Sequence, residues 1–116
     1  MITWDPTVSV YLHRNPVDFR KSVNGLSVIV SEQMELNVYG EALFVFCNKT
    51  RDKLKVLYWD KTGFALWYKR LEKAKFKWPR KEPQAILTVN HEQWQWLLRG
   101  LNFYDIKPHQ ALYFTG

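Results

Sequence analysis

Several protein classes fall away on what this chain lacks. It has a single cysteine, Cys47, so no intrachain disulfide is open to it, and the thiol lies inside an apolar run where burial is expected. No stretch approaches the ~18 uninterrupted apolar residues that span a bilayer, and the N-terminus lacks the basic-then-apolar pattern of a secretory signal. The expectation is a cytoplasmic protein with no membrane partner. The five glycines are scattered, which excludes a glycine-rich phosphate loop. His13, His91 and His109 stand apart, with no cysteine or carboxylate at ligand spacing, so neither a metal site nor another cofactor is expected. No serine or cysteine occupies a nucleophile elbow.

What is present is a folding chain with an uneven charge. Its 116 residues are 47% apolar with only five prolines, enough for one core and one domain spanning residues 1–116. The formal charge is +6, which favours polyanionic partners. Between Lys49 and Lys81 stand twelve of the seventeen lysines and arginines against Asp52, Asp60 and Glu72 alone, so this segment carries +9 and the remainder −3.

Residues 42–78, which overlap this segment, hold the clearest structural pattern. Ala42–Cys47, Leu54–Trp59, Phe64–Lys69 and the short Lys75–Trp78 are rich in β-branched and aromatic residues and are separated by turn chemistry, which predicts an antiparallel meander. Val8, Val10 and Leu12 alternate in an opening strand that Pro16 stops. From Asp18 to Met34, Phe19, Val23, Leu26, Ile29 or Val30, and Met34 recur at helical spacing, with Asn15 or Asp18 as the expected cap and Gly25 as a point of close approach to a strand. Ile86–Val89 reads as one more strand. Asn90 with Gln93 forms a capping box for a second helix, whose stripe Trp94, Leu97, Leu98 and Leu101 faces the sheet or a second subunit before Gly100 ends it. The apolar tail from Phe103 to Gly116 is expected to add a strand or to dock on a partner.

Alternation gives the basic segment its functional interest. Lys53, Lys55, Leu57 and Trp59 share one face of their strand, and Ala65, Trp67 and Lys69 oppose Phe64, Leu66, Tyr68 and Arg70 on the next. Lysine beside tryptophan has two readings: lysine stems covering a half-buried ring, or a cationic surface with nucleic acid running over the rings. Lys49, Arg51, Lys53 and Lys55 cluster at and just after one turn, and Arg70, Lys73, Lys75, Lys77, Arg80 and Lys81 around the last hairpin, which suits phosphate contact and equally a solvated charged face. Lys53, Lys55, Lys69, Arg70, Lys75 and Lys77 are the leading candidates for backbone contact. Arg20 and Lys21 are further candidates at the first helix. Asp18, Asp60 and Glu72 can be drawn as a two-metal nuclease site, but capping, turn and charge-pair roles account for them, and no catalytic residue is expected.

Taken in order, Asp18-Phe19-Arg20-Lys21-Ser22 followed by Asn24-Gly25-Leu26, Gly40 with Leu43-Phe44-Val45-Phe46, Lys55-Val56-Leu57-Tyr58-Trp59-Asp60 with Gly63-Phe64, Lys69-Arg70-Leu71-Glu72, Phe76-Lys77-Trp78-Pro79 and Leu97-Leu98-Arg99-Gly100-Leu101 form a pattern. The chain resembles the small TnpB (Orf2-like) accessory proteins of insertion-sequence-66-type transposable elements. It departs from them at Asn48-Lys49-Thr50-Arg51, where more arginine is usual, and in the tail. The resemblance implies a part in transposition beside a separate, larger transposase that carries the strand-cutting chemistry. The expected protein is therefore a single α+β domain, a mainly antiparallel sheet of five or six strands with two helices on one face. Its expected role is that of a non-catalytic accessory factor binding DNA through the basic meander. The alternative is an interaction module that docks the transposase or associates with itself.

Overall fold

The computed structural model describes residues 5–103, so the expected roles of the tail fall almost wholly outside the described residues. Five strands, β1 (Ser9–His13), β2 (Ala42–Cys47), β3 (Lys53–Asp60), β4 (Gly63–Arg70) and β5 (Ile86–Val89), lie in the order β4-β3-β2-β1-β5. The β2-β3-β4 meander is antiparallel as its turns predict, with Val45 opposite Val56 and Leu57 opposite Leu66. β1 instead runs parallel to β2, Tyr11 beside Phe44, and β5 returns antiparallel along the other edge of β1. The one parallel pair follows from the helical crossover between β1 and β2, since a parallel neighbour cannot be reached through a tight turn.

The segment Lys75–Trp78 is not a strand. Phe76 and Trp78 point into the core and Lys75 and Lys77 to solvent, the alternation that suggested one. Among the described residues its tertiary backbone contact is a single bond from the Phe76 amide to the Arg51 carbonyl at 2.7 Å, and no ladder forms.

The first helix is shorter than its apolar stripe. Asp18 does not cap it: its carboxylate binds the Arg20 amide at 2.9 Å and the Arg20 guanidinium, and the Lys21 amide bonds to the Asp18 carbonyl, so residues 18–21 form a turn. Helix α1 (Val23–Val28) follows and widens into a π-helical turn, Ile29–Gln33, where the Met34 amide reaches the Ile29 carbonyl. Gly25 meets no strand. A Cβ there would lie 3.2 Å from Cβ and Cγ of Lys21, whose stem runs back along the helix.

Helix α2 (His91–Leu98) has the expected capping box, with Gln93 N donating to Asn90 Oδ1 at 2.8 Å and Asn90 N to Gln93 Oε1 at 2.9 Å. It ends at Gly100, φ +77°. There the Gly100 and Leu101 amides bond to the Leu97 and Trp96 carbonyls, a Schellman arrangement that favours glycine.

The helices cover opposite faces, not one. Trp94, Leu97 and Leu98 of α2 pack with Val10, Leu12, Leu43, Val45, Leu54 and Val56, joined by Phe76 and Trp78. Leu26, Ile29, Val30 and Met34 pack with Phe44, Phe46 and Leu57 on the other side. β2 is apolar at every position from Leu43 to Cys47, all buried, and a strand with two apolar faces needs cover on both.

Candidate nucleic-acid interface

Strand direction decides where the loops fall. The C-terminal ends of β1, β2 and β4 and the N-terminal ends of β3 and β5 share one end of the sheet. Three links meet there: residues 14–22, 48–52 and 71–85. The Leu71 amide bonds to the Asp52 carbonyl and the Phe76 amide to the Arg51 carbonyl, so the last link is tied to the β2–β3 turn. Arg14 is tied to it too, donating from its backbone amide to the Ala85 carbonyl and from its guanidinium to the Glu82 carbonyl, while Trp78 Nε1 donates to the Arg14 carbonyl.

This end therefore gathers Arg20, Lys21, Lys49, Arg51, Lys53, Arg70, Lys75 and Lys77 from links distant in sequence, together with Arg14, Lys73, Arg80 and Lys81. The opposite end carries Asp5, Glu35, Glu41, Asp60 and Glu92 with Lys61 as its cation among the described residues. About 24 Å separates the two ends of β3, at ~3.4 Å per residue.

The candidate cations differ in what they are free to do. Lys21, Lys49, Lys75 and Lys77 are exposed and make no ion pair or side-chain hydrogen bond among the described residues. Lys53 Nζ lies 3.8 Å from Asp52, a loose pair. Arg20 is 91% exposed and paired with Asp18 at 2.6 Å, and Arg70 is paired with Glu72 at 3.0 Å. Such exposed pairs contribute little and exchange readily for phosphate. The Arg51 backbone is in the left-handed region, φ +62°, and its Nε is buried without a partner.

Lys55 and Lys69 are committed inside the protein. Lys55 Nζ donates to the Phe19 and Lys21 carbonyls, 2.8 Å each, and sits 4.9 Å from the centre of the Phe19 ring. Burial lowers its pKa, with Asp18 opposing. Lys69 Nζ donates to the Leu98 carbonyl at 2.6 Å, which places it on the α2 face and against the negative end of that helix. Lys53 and Arg70, cross-strand partners, share the α1 face with Lys55 and Tyr68. The strand candidates are thus divided between two faces and meet only around the end of the sheet.

The turn that presents Lys49, Arg51 and Lys53 is laced by side-chain hydrogen bonds. Asn48 Nδ2 donates to Asp52 Oδ1 at 2.8 Å, Thr50 Oγ1 to the same oxygen at 2.7 Å, and the Lys53 amide to Asn48 Oδ1. The amide and hydroxyl hold the Asp52 carboxyl down at about 2, and the Arg20 guanidinium does the same for Asp18. Cys47, buried beneath this turn, is pushed up to about 12 by desolvation, so its thiol is inert.

The carboxylates drawn as a two-metal site are not together. Asp18 and Glu72 are each engaged by a neighbouring arginine at the basic end, and Asp60 lies at the other. Among the described residues no group of three or more His, Cys, Asp or Glu side chains is placed to hold a metal. His13 is buried, with Nδ1 2.8 Å from the Asn15 carbonyl.

Two features escape the sequence. Arg14 joins the basic end only because β1 runs parallel to β2. Phe19 and Tyr68 stand with ring centres 6.5 Å apart, Tyr68 48% exposed, among Lys21, Lys55 and Arg70. The cross-strand register exposes the Tyr68 part of that group, but nothing local predicts that the 18–21 turn folds over it.

A helix-covered sheet that gathers twelve lysines and arginines against Asp18, Asp52, Glu72 and Glu82 at one end, and is acidic at the other, defines a small α+β domain with a polarised, one-ended basic surface. The chain belongs to the family described as IS66 Orf2 like protein, whose model matches residues 8–108. It is 37% identical over 92 residues to the "Uncharacterized protein y4jC" of Sinorhizobium fredii (strain NBRC 101917 / NGR234), covering 79% of this chain and 78% of that one. It is 32% identical over 103 residues to the "Uncharacterized protein y4hO" of the same strain, covering 89% of each. No solved structure matches. The family makes this a transposition accessory protein of an insertion sequence. No helix among the described residues is long and apolar enough to cross a membrane.

Proposed function

We propose that the protein supports transposition by binding DNA with the basic end of its sheet, while the element's separate transposase cuts and joins strands. One observation carries this reading: cations from the links 14–22, 48–52 and 71–85 converge at one end, although the chain as a whole carries only +6. Surface lysines placed merely for solubility have no reason to converge. Lys21, Lys49, Lys53, Lys75 and Lys77, with Arg20 and Arg70 released from their exposed pairs, are the phosphate ligands of this reading; Lys55 and Lys69 are supports. Binding to backbone phosphate displaces counterions, so log affinity falls linearly with log salt. Anisotropy of labelled DNA over a salt series tests it: Lys49→Ala with Lys75→Ala lowers the slope by about 2. Absence of binding at low salt, or an unchanged slope, rejects the reading.

A second reading concerns the other end. Tyr39 is 60% exposed and packs edge-on against Trp59, 5.1 Å between centres, beside Phe64, with Asp60 and Glu41 nearby. Exposed aromatics in a patch suit a protein partner, and we infer that the transposase docks there while DNA occupies the basic end. Tyr39→Asp then abolishes co-purification with the transposase and leaves DNA affinity intact; retained co-purification excludes this surface.

A further inference from the structure

Within the basic end lies a cleft of about 480 Å³ between the chain entering α1 and the β2–β3 turn. One wall is apolar, made by Pro16, Val17 and Phe19; the other carries Lys49, Thr50 and Lys53. Both walls are held in place. The Val17 amide bonds to the Cys47 carbonyl at 3.0 Å, Lys55 clamps the Phe19 and Lys21 carbonyls, and Asn48 and Asp52 lace the turn. Asp18, also at the cleft, has its charge offset by Arg20. The volume falls in the range that encloses small ligands, ~300–1,000 Å³.

An apolar, partly aromatic wall opposite a wall carrying two lysines suits one chemistry, a flat heterocycle joined to a phosphate. A paired and stacked base cannot enter such a recess, whereas an unpaired one can lie against Pro16, Val17 and the side of Phe19 that lines the cleft, Lys55 lying over the ring, while Lys49 and Lys53 hold its phosphates. We propose that this cleft takes one unpaired nucleotide of a DNA strand, so that the protein prefers DNA with a single-stranded overhang to blunt duplex. The inference rests on the DNA-binding reading above and adds to it the kind of DNA bound.

The test measures anisotropy of one labelled duplex, blunt or with a short single-stranded tail, at fixed salt, for the parent, Val17→Met and Lys49→Gln. The parent binds the tailed duplex about tenfold tighter, the scale of one base stacked on an aromatic ring. Val17→Met, which extends an apolar side chain into the cleft without adding a ring, brings tailed DNA towards the blunt level and leaves blunt affinity unchanged, while Lys49→Gln weakens tailed DNA more than blunt. Amide chemical-shift mapping with thymidine monophosphate alone needs no variant and moves residues 17–19 and 49–53. Equal affinity of the parent for the two duplexes, an undiminished preference in a folded Val17→Met, or unmoved amides at these positions overturns the proposal. Loss of binding to both duplexes at low salt overturns the DNA-binding reading instead, and the nucleotide mapping still decides the cleft.

Discussion

At the scale of single residues, Lys53 and Lys55 show how far alternation reads and where it stops. Both lie on the same face of β3, as their spacing requires. Only the fold shows that the 18–21 turn crosses over Lys55 and uses its ammonium as a double donor, because that contact joins positions 34 and 36 residues apart. Lys55→Met therefore leaves two carbonyls without their donor. It is expected to lower unfolding stability in urea by about 1–3 kcal/mol, the scale of hydrogen bonds to a charged group, and to leave the salt slope of DNA binding unchanged. Lys53→Met does the opposite, lowering the slope by about 1 with little change in stability. Asp52 gives a pH dependence whose sign is fixed. Its folded pKa is held near 2, below the ordinary 3.8. Its stabilising contribution is therefore complete above the ordinary value and is lost as pH falls towards 2. Denaturation midpoints measured between pH 5 and pH 2 fall less steeply in Asp52→Asn than in the parent, and the remaining slope includes Asp18, whose carboxyl is depressed in the same way.

At the scale of elements, regular strands and the second helix were legible because each satisfies its own hydrogen bonds in the way its side chains announce. Asn90 and Gln93 stand three apart and cap reciprocally, so Asn90→Ala is expected to cost about 1 kcal/mol in thermal or chemical unfolding. The first helix was legible in its apolar face but not in its start. Asp18 has a cap's chemistry, yet Arg20 offers the carboxylate a charged partner two residues away, and the local turn prevails. Phe76 and Trp78 show the converse error. Their alternation is that of a strand, but what it records is burial alone, with the backbone anchored once at Arg51. The placement of the helices on opposite faces was present in the unbroken apolar run of β2, which leaves no face for solvent.

For the whole molecule, the window of +9 located the basic segment, and antiparallel alternation placed the 48–52 turn and the residues just after β4 at a common end, but the strand expected at Lys75–Trp78 would have carried residues 79–85 to the other. Arg14, Arg20 and Lys21 join them only through the parallel β1, a choice no local pattern encodes. If polarity governs DNA binding, then charge removed from the far end has little effect. Asp60→Asn with Glu41→Gln raises the net charge by two, yet the salt slope should stay unchanged, because those groups lie beyond a Debye length of ~8 Å from the basic end at physiological ionic strength. The position of β1 has a different kind of consequence. It is the first strand among the described residues and lies between β2 and β5, the latter beginning only at Ile86. During synthesis the meander and β1 can pair as soon as β2 to β4 have left the ribosome, but one edge of β1 stays open until β5 emerges. A nascent chain in which β2 to β4 have emerged and Ile86–Val89 has not therefore displays a bare, apolar strand edge on β1, and covering that edge depends on β5 following promptly.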